Sequence, residues 1–411
     1  MQGPRRRQAL SIYIVATLLA GCGGSQPPVG TSGIDPQPRV AKAATRTEIA
    51  GATDSHVRVL YRFNRDDGHQ PEAALLDVSG TTYGTTAWGG SHGWGAVFAI
   101  SADGTEHVLH SFPDEFKGDG SVPVASLIAV NGTLYGTTSR GGANRCEDSE
   151  PLCGTVFDID SKGHEQVLHS FGPSPDGNDP TANLLDVDGT LYGTTVSGGV
   201  YGGGTVFTIS TSGDEKVLYS FGGSKGDGCA PQSGLIEVSG TMYGTTGNCG
   251  AYARGTVFSI SPSGEEHVLH SFGYGSDGSY PVVGLINVNG TLYGTTSGGY
   301  NLKSTVFSIT TSGYEQVLYS FDNYSGAGLS ALLDVNGVLY GTATGEPYDE
   351  GFIYEITLSG NERLVHSFTR RGGSEPLAPL IEVNGKLLGT TAYGGLPGHG
   401  WGEVFELKPS K

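Results

Sequence analysis

Seven times, at intervals of roughly fifty residues, the chain repeats one unit, and self-similarity at such a period marks a repeat architecture. Each copy runs as an apolar segment, Asn-Gly or a close variant, Leu-Tyr-Gly-Thr-Thr, a Gly-rich stretch, Gly-Thr-Val-Phe, Ser-Gly, and Val-Leu-His-Ser-Phe. The clearest copy spans Pro281 to Phe321. Tyr-Gly-Thr recurs around Tyr83, Tyr135, Tyr192, Tyr243, Tyr293 and Tyr340, and becomes Leu388-Gly389-Thr390 in the last copy. Residues that repeat are mostly scaffold. Residues that break the pattern are free for other work.

Each unit carries four strand signals. In the fifth they are Val282 to Val288, Thr291 to Thr296, Thr305 to Ile309 and Glu315 to Phe321, rich in β-branched and aromatic residues and bounded by turn formers. Asn289-Gly290 is a type I′ hairpin signal, and Ser312-Gly313 joins the last two strands. Val306, Phe307 and Ile309 put apolar groups on both faces, as a sheet sandwiched between other sheets requires. Four-stranded antiparallel sheets packed face to face around an axis form a β-propeller. The last unit, Glu375 to Leu407, stops after its third strand, whereas a lone Val-Leu-x-x-Phe strand, 57–63, precedes the first complete unit. The expected fold is therefore all-β: a seven-bladed propeller over 57–407 whose N-terminal strand completes the last blade and hides two sheet edges. The blades fall at about 71–112, 123–171, 180–221, 231–272, 281–321, 328–368 and 375–407, with a tail at 408–411. An open solenoid would expose its terminal sheet faces, and no capping repeat is evident.

The run Leu-Tyr-Gly-Thr-Thr, Gly-Gly, Gly-Thr-Val-Phe is carried here by Leu134 to Thr138, Gly141-Gly142 and Gly154 to Phe157, and again by Leu191 to Thr195, Gly198-Gly199 and Gly204 to Phe207. In this it resembles the bacterial tandem-repeat family called GloVer. The resemblance covers nearly all of 57–407 and implies a cell-surface propeller, with no catalytic residues to carry over. The unit is also distantly similar to kelch, without the Tyr and Trp pair typical of that repeat.

Ahead of the repeats, Arg5 to Arg7 and the apolar run Ala9 to Ala20 form a signal-peptide pattern, too short for a stable membrane-spanning helix. It ends in Leu19-Ala20-Gly21-Cys22, which resembles a bacterial lipobox, so 1–21 is expected to be removed and Cys22 lipidated. Buried acyl chains contribute about 0.8 kcal/mol per methylene, enough together for a firm anchor. Gly23 after that cysteine favours onward transport to an outer membrane. Residues 22–56, poor in large apolar side chains, read as a flexible tether.

The net charge of −18 argues against nucleic acid and anionic lipid as partners. Loss of the leader removes three arginines and makes the chain more acidic still. Setting Cys22 aside, four cysteines remain in an oxidising compartment, and their positions suggest disulfides Cys146–Cys153 and Cys229–Cys249. Neither pair has the close spacing or neighbouring His of a metal site. No cofactor or metal is expected, and a monomer is.

The short hairpins should lie on one side of the ring, and the variable loops, between strands two and three and between blades, on the other, where binding usually resides. All three tryptophans break the repeat there: Trp88 and Trp94 in the first blade, Trp401 in the last. Closure makes those blades neighbours, so Trp88, Trp94, Trp401, His92, His399 and Tyr393, with His69 nearby, form a candidate ligand surface for a glycan or a protein. Packing over the closing seam explains the tryptophans equally well. Asp-Gly recurs between blades (Asp67, Asp119, Asp176, Asp227, Asp277), usually three residues before a Pro, and reads as turn chemistry, not as a Ca²⁺ ladder. The loop with Arg140, Arg145, Glu147, Asp148 and Glu150 is charged and stapled by its own disulfide. No nucleophile elbow, P-loop or dinucleotide fingerprint is present. The chain reads first as a lipid-anchored binding module, and second as a propeller lyase or hydrolase using loop carboxylates such as Asp114, Glu115 or Asp349.

Overall fold

A computed structural model describes residues 57–113, 118–146, 153–298, 303–325, 328–345, 350–394 and 400–409. The leader, Cys22, the tether, Asp114, Glu115, Glu147, Asp148, Glu150, Asp349 and His399 lie outside the described residues. Among the described residues the chain forms seven four-stranded antiparallel sheets and no helix. Blade 1 consists of Leu76–Val78, Thr81–Thr86, Ala96–Ile100 and Glu106–Ser111 in that spatial order, and blades 2 to 6 repeat it. In blade 7 the strands Ile381–Val383, Lys386–Thr391 and Glu403–Leu407 are completed by Arg58–Arg62, which pairs antiparallel with Glu403–Leu407. The propeller is closed as the repeat count requires.

The hairpin between the first two strands is type I′ in each blade. Asn289 (φ 52°) and Gly290 (φ 83°) both adopt the left-handed region, a twist that matches the flanking strands. The glycine of Tyr-Gly-Thr answers a different need. A Cβ on Gly193 would lie 2.3 Å from Cζ of Phe207, the phenylalanine of the same blade's Gly-Thr-Val-Phe. That aromatic ring in turn meets the edge of a ring from the preceding blade: seven such contacts, from Phe63–Phe98 to Phe368–Phe405, have centroids 5.0–5.3 Å apart. Edge-to-face pairs of this kind add about 0.5–1.5 kcal/mol each beyond the area they bury. The core is thus a cycle of apolar layers between blades, with the motif tyrosines packed in it.

The first threonine of the motif is tied down in every blade, the second in four. The first of each pair, from Thr85 to Thr390, donates its hydroxyl to a backbone carbonyl of the next blade at 2.9–3.2 Å, making seven links around the ring. In blades 2 to 5 the second meets the threonine opening its blade's third strand, as in Thr195–Thr205 at 2.8 Å, whereas blade 1 sets Thr86 against Ala96 and blade 6 sets Ala343 against Phe352. Blade 7 departs from this rule. There Glu403 stands where the other threonine would be, 1% exposed, and Arg62 of the closing strand binds it at 2.7 Å. Both disulfides are present, Cys146–Cys153 and Cys229–Cys249.

Candidate functional site

Each inter-blade loop pairs with the loop between strands two and three of the blade that follows. Gly120–Ser121 pairs with Arg140–Gly141, Gly177–Asn178 with Ser197–Gly198, and Gly228–Cys229 with Asn248–Cys249. The Cys229–Cys249 disulfide staples the last of these ladders. In blades 1 and 7 single bridges hold the same place, His69 with Trp88 and Ser374 with Tyr393. Trp88 and Tyr393 therefore occupy one register position in adjoining blades. The loops form a common rim over one face of the ring.

In six of the seven blades the chain then turns inward through a residue that precedes proline. Gln70, Val122, Asp179, Ala230, Tyr280 and Glu375 all have φ between 54° and 59°, left-handed values uncommon outside glycine. Two backbone hydrogen bonds fix each of them. Gln70, for example, receives the Ala87 N–H at 3.0 Å and donates to the Trp401 carbonyl at 3.1 Å. Such conformations persist only where the surroundings over-determine them, and they cluster at functional sites. Beyond the prolines the chain lines an axial cavity of about 250 Å³ walled mainly by small side chains and backbone: Ala73-Ala74, Ala125-Ser126, Ala182-Asn183, Ser233-Gly234 and their counterparts. Its one carboxylate is Glu72. Burial, then the neighbouring Glu375, push that carboxyl up to about 7. Burial followed by Glu350 raises Glu375 as well.

Of the sequence-derived candidates, Trp88, Trp94, Trp401 and Tyr393 converge on this sector. Trp88 and Trp94 stand with ring centroids 5.8 Å apart, and Trp401 lies 5.1 Å from the ring of His69. Gln70, next in the chain, donates from Nε2 to the Tyr393 hydroxyl. The Tyr393 hydroxyl is raised by burial and then by Glu375 and Glu72, so an aromatic and polar run connects the rim to the cavity acid. Burial, then Arg65, lower His69 to about 4, which keeps it neutral near neutral pH. His92 stands apart and exposed, its Nδ1 within 3.1 Å of the Ser91 hydroxyl and 3.3 Å of the Ser111 carbonyl. Trp94 and Trp401 also cover apolar clusters beneath them, Trp401 at the closing seam, so these side chains pack as well as line the rim.

Gln70, Glu72 and Glu375 are additions to the sequence-derived set. Their signal was the proline after the inter-blade turn: Gln70 and Glu375 stand before it and are left-handed, Glu72 stands after it, and these positions vary from blade to blade. A second aromatic group lies on the same rim over blades 3 to 5. There Tyr201 and Tyr274 are exposed, Tyr252 and Tyr274 are 5.6 Å apart, and Arg254 lies over Tyr280.

Among solved structures, the chain is similar to an oligogalacturonate lyase in complex with manganese, at 11% identity and TM-score 0.51, over 84% of this chain and 90% of that one. It is similar to a quinohemoprotein alcohol dehydrogenase from Comamonas testosteroni at 11% identity and TM-score 0.51, over 87% and 77% respectively. Identities this low speak for the fold alone. No curated protein matches the sequence. The model of the Gloeobacter/Verrucomicrobia repeat matches twice, over residues 46–149 and 146–347, and the chain belongs to that family.

Proposed function

We propose that the protein is a binding module of the bacterial cell envelope, anchored through a lipidated Cys22, and that it takes a glycan on the loop rim over blades 7 and 1. One observation carries the reading: Trp94, Trp88, His69, Trp401, Gln70 and Tyr393 follow one another from the outer rim to an axial cavity holding Glu72. Flat rings suit the apolar face of a sugar, and the amide, phenol and carboxyl suit its hydroxyls. Glycan-array binding of the parent is expected to be lost in Trp88→Ala and Trp401→Ala, with melting curves taken to confirm that each is folded. Retained binding in both folded variants would end the stacking idea, and a silent array with capture of a protein partner would reassign the surface. Incorporation of a labelled lipid precursor, lost in Cys22→Ala, tests the anchor; an unlabelled parent would remove it.

A second reading, a polysaccharide-cleaving enzyme, draws on the chemistry of Glu72. A carboxyl near 7 at a cavity wall is suited to proton transfer at neutral pH. Product release from a polysaccharide panel, abolished in Glu72→Gln, would favour it over simple binding.

A further inference from the structure

On the outer strands, far from the axial cavity, the seams between blades repeat a three-part arrangement. A His or Tyr from the Val-Leu-x-Ser-Phe strand of one blade meets the Asp of the following Asp-Gly loop and the Glu that opens the outer strand of the next blade. At three seams the trio is His, Asp and Glu, and at two adjacent ones the donors are gathered closely: His110, Asp119 and Glu165, then His169, Asp176 and Glu215 have the ligating atoms of each set within 4.8 Å of one another, a closeness that His270, Asp277 and Glu315 do not reach. We propose that these two seams are Zn²⁺ sites.

The donor geometry is largely in place. A tetrahedral ion with bonds of about 2.0–2.2 Å sets its ligand atoms roughly 3.4 Å apart. Nε2 of His110 is 3.2 Å from Asp119 Oδ2, and Nε2 of His169 is 3.1 Å from Asp176 Oδ2. Each Asp is oriented by its own loop: Oδ1 receives the N–H of Gly120 in one seam and of Gly177 in the other, both at 2.7 Å, with Oδ2 turned to the imidazole, and Oδ2 of Asp176 also receives the Gly172 N–H at 2.9 Å. Each imidazole is held edge-on to a buried phenylalanine, Phe112 at 4.7 Å and Phe171 at 4.8 Å. Oε1 of both Glu165 and Glu215 is buried without a hydrogen-bond partner, and coordination to an ion would engage these carboxylates. The His and Asp side chains are about one-fifth exposed, so an ion can reach them from solvent. One imidazole with two carboxylates suits Zn²⁺ and leaves its fourth position to water, whereas Ca²⁺ requires six to eight oxygens.

The protein supplies its own controls. At two other seams Tyr61 and Tyr219 replace the histidine, and their hydroxyls bond Asp67 and Asp227 at 2.7 and 3.2 Å. Those seams keep the hydrogen bond and the orphan Glu oxygen but have no nitrogen ligand. The substitutions His110→Tyr and His169→Tyr therefore install a partner the fold already accepts. Full-length protein, stripped with EDTA, re-exposed to ZnCl₂ and desalted, is expected to retain two more zinc ions per chain than the double variant and to melt higher with zinc than without. Tyr61→Phe and Tyr219→Phe should leave the zinc content unchanged. Equal zinc in the parent and the folded double variant would overturn the proposal, as would a parent melting point indifferent to zinc. Either result would leave these seams as hydrogen-bonded ties.

Discussion

Replacing Gly193 by alanine tests whether the glycine of Tyr-Gly-Thr is there for space and not for conformation. Gly193 is not among the left-handed glycines, so a side chain brings no backbone strain, only atoms. Its Cβ would come within 2.3 Å of Phe207 Cζ, 2.7 Å of Phe207 Cε1 and 2.9 Å of Leu184 Cδ2, and both side chains are buried, at 0% and 1% exposure. Carbon atoms settle at about 3.5–4.0 Å, so an overlap of more than ~1 Å must be relieved inside a packed layer. Overpacking of this kind costs about 1–3 kcal/mol, and the closeness of the contact places the expected loss at about 2–3 kcal/mol. Unfolding entropy near 2.1 cal/mol/K per residue over roughly 350 residues converts this to a fall of about 3–4 °C. Calorimetry reads the shift, and a cycle with Phe207→Leu isolates its cause. Leucine has no atom at the position of Cζ, so the double variant should lose about 1–2 kcal/mol less than the two single losses combined. A Gly193→Ala variant within ~0.5 kcal/mol of the parent, or an additive cycle, would refute the argument.

Arg62→Ala leaves the buried Glu403 carboxylate without its cation and should destabilise the closing blade by about 2–4 kcal/mol, whereas Arg58→Ala, at an exposed pair with Glu406, should change stability by less than ~1 kcal/mol. Equal effects in denaturant melts would deny the closure pair its special place. Burial first, with the charge of nearby aspartates, pushes Glu106, Glu215, Glu266 and Glu315 up to about 7 and Glu165 to about 8 from an ordinary 4.5, against the opposing pull of Tyr61, His169, Tyr219 and His270. The folded chain then holds more protons than the unfolded chain between those values, so stability should decline as pH rises from about 5 to about 8. Glu315→Gln should flatten that decline, and a metal-free melting temperature that climbs across this range would contradict the assignment.

The blade number, the type I′ hairpins, the closing strand and both disulfides were legible because each rests on local pattern or on counting. Asn289-Gly290 specifies its turn unaided, and a last unit short by one strand demands the N-terminal one. The seams were not legible. Glu165 opens an outer strand and reads as a solvated end; only packing of the next blade brings it to Asp119, and only the Asp-Gly turn aims Asp119 at His110. The same holds for the motif threonines, which propensity presents as strand formers and the ring uses as ties between blades. Glu72 and Glu375 were hidden for a further reason: they flank a proline whose turn chemistry was already a sufficient account of the spacing.

The departures from the repeat are themselves paired, and the pairing singles out one seam. Where Arg62 replaces the serine of the outer strand, Glu403 replaces the threonine facing it. Where Gly372 replaces the aspartate between blades 6 and 7, Val57 replaces the glutamate and packs into an apolar layer with Phe368, beside a His366 that burial holds below its ordinary pKa. These compensated changes give blade 7, assembled from both ends of the repeat array, contacts of its own in addition to the threonine link from Thr390 to Pro71 and the ring contacts that it shares with the other blades. Its rim position is then free of the uniform pattern: Tyr393 and Trp88 stand where other blades carry Arg140, Ser197 or Asn248. The tryptophans, the left-handed Gln70 and Glu375, and the cavity acid Glu72 all gather at the closing seam. A ligand that reads this sector would also bridge the first and last blades, so its binding should stabilise ring closure, and a closing-strand variant such as Arg62→Ala should bind it more weakly without losing any contact residue.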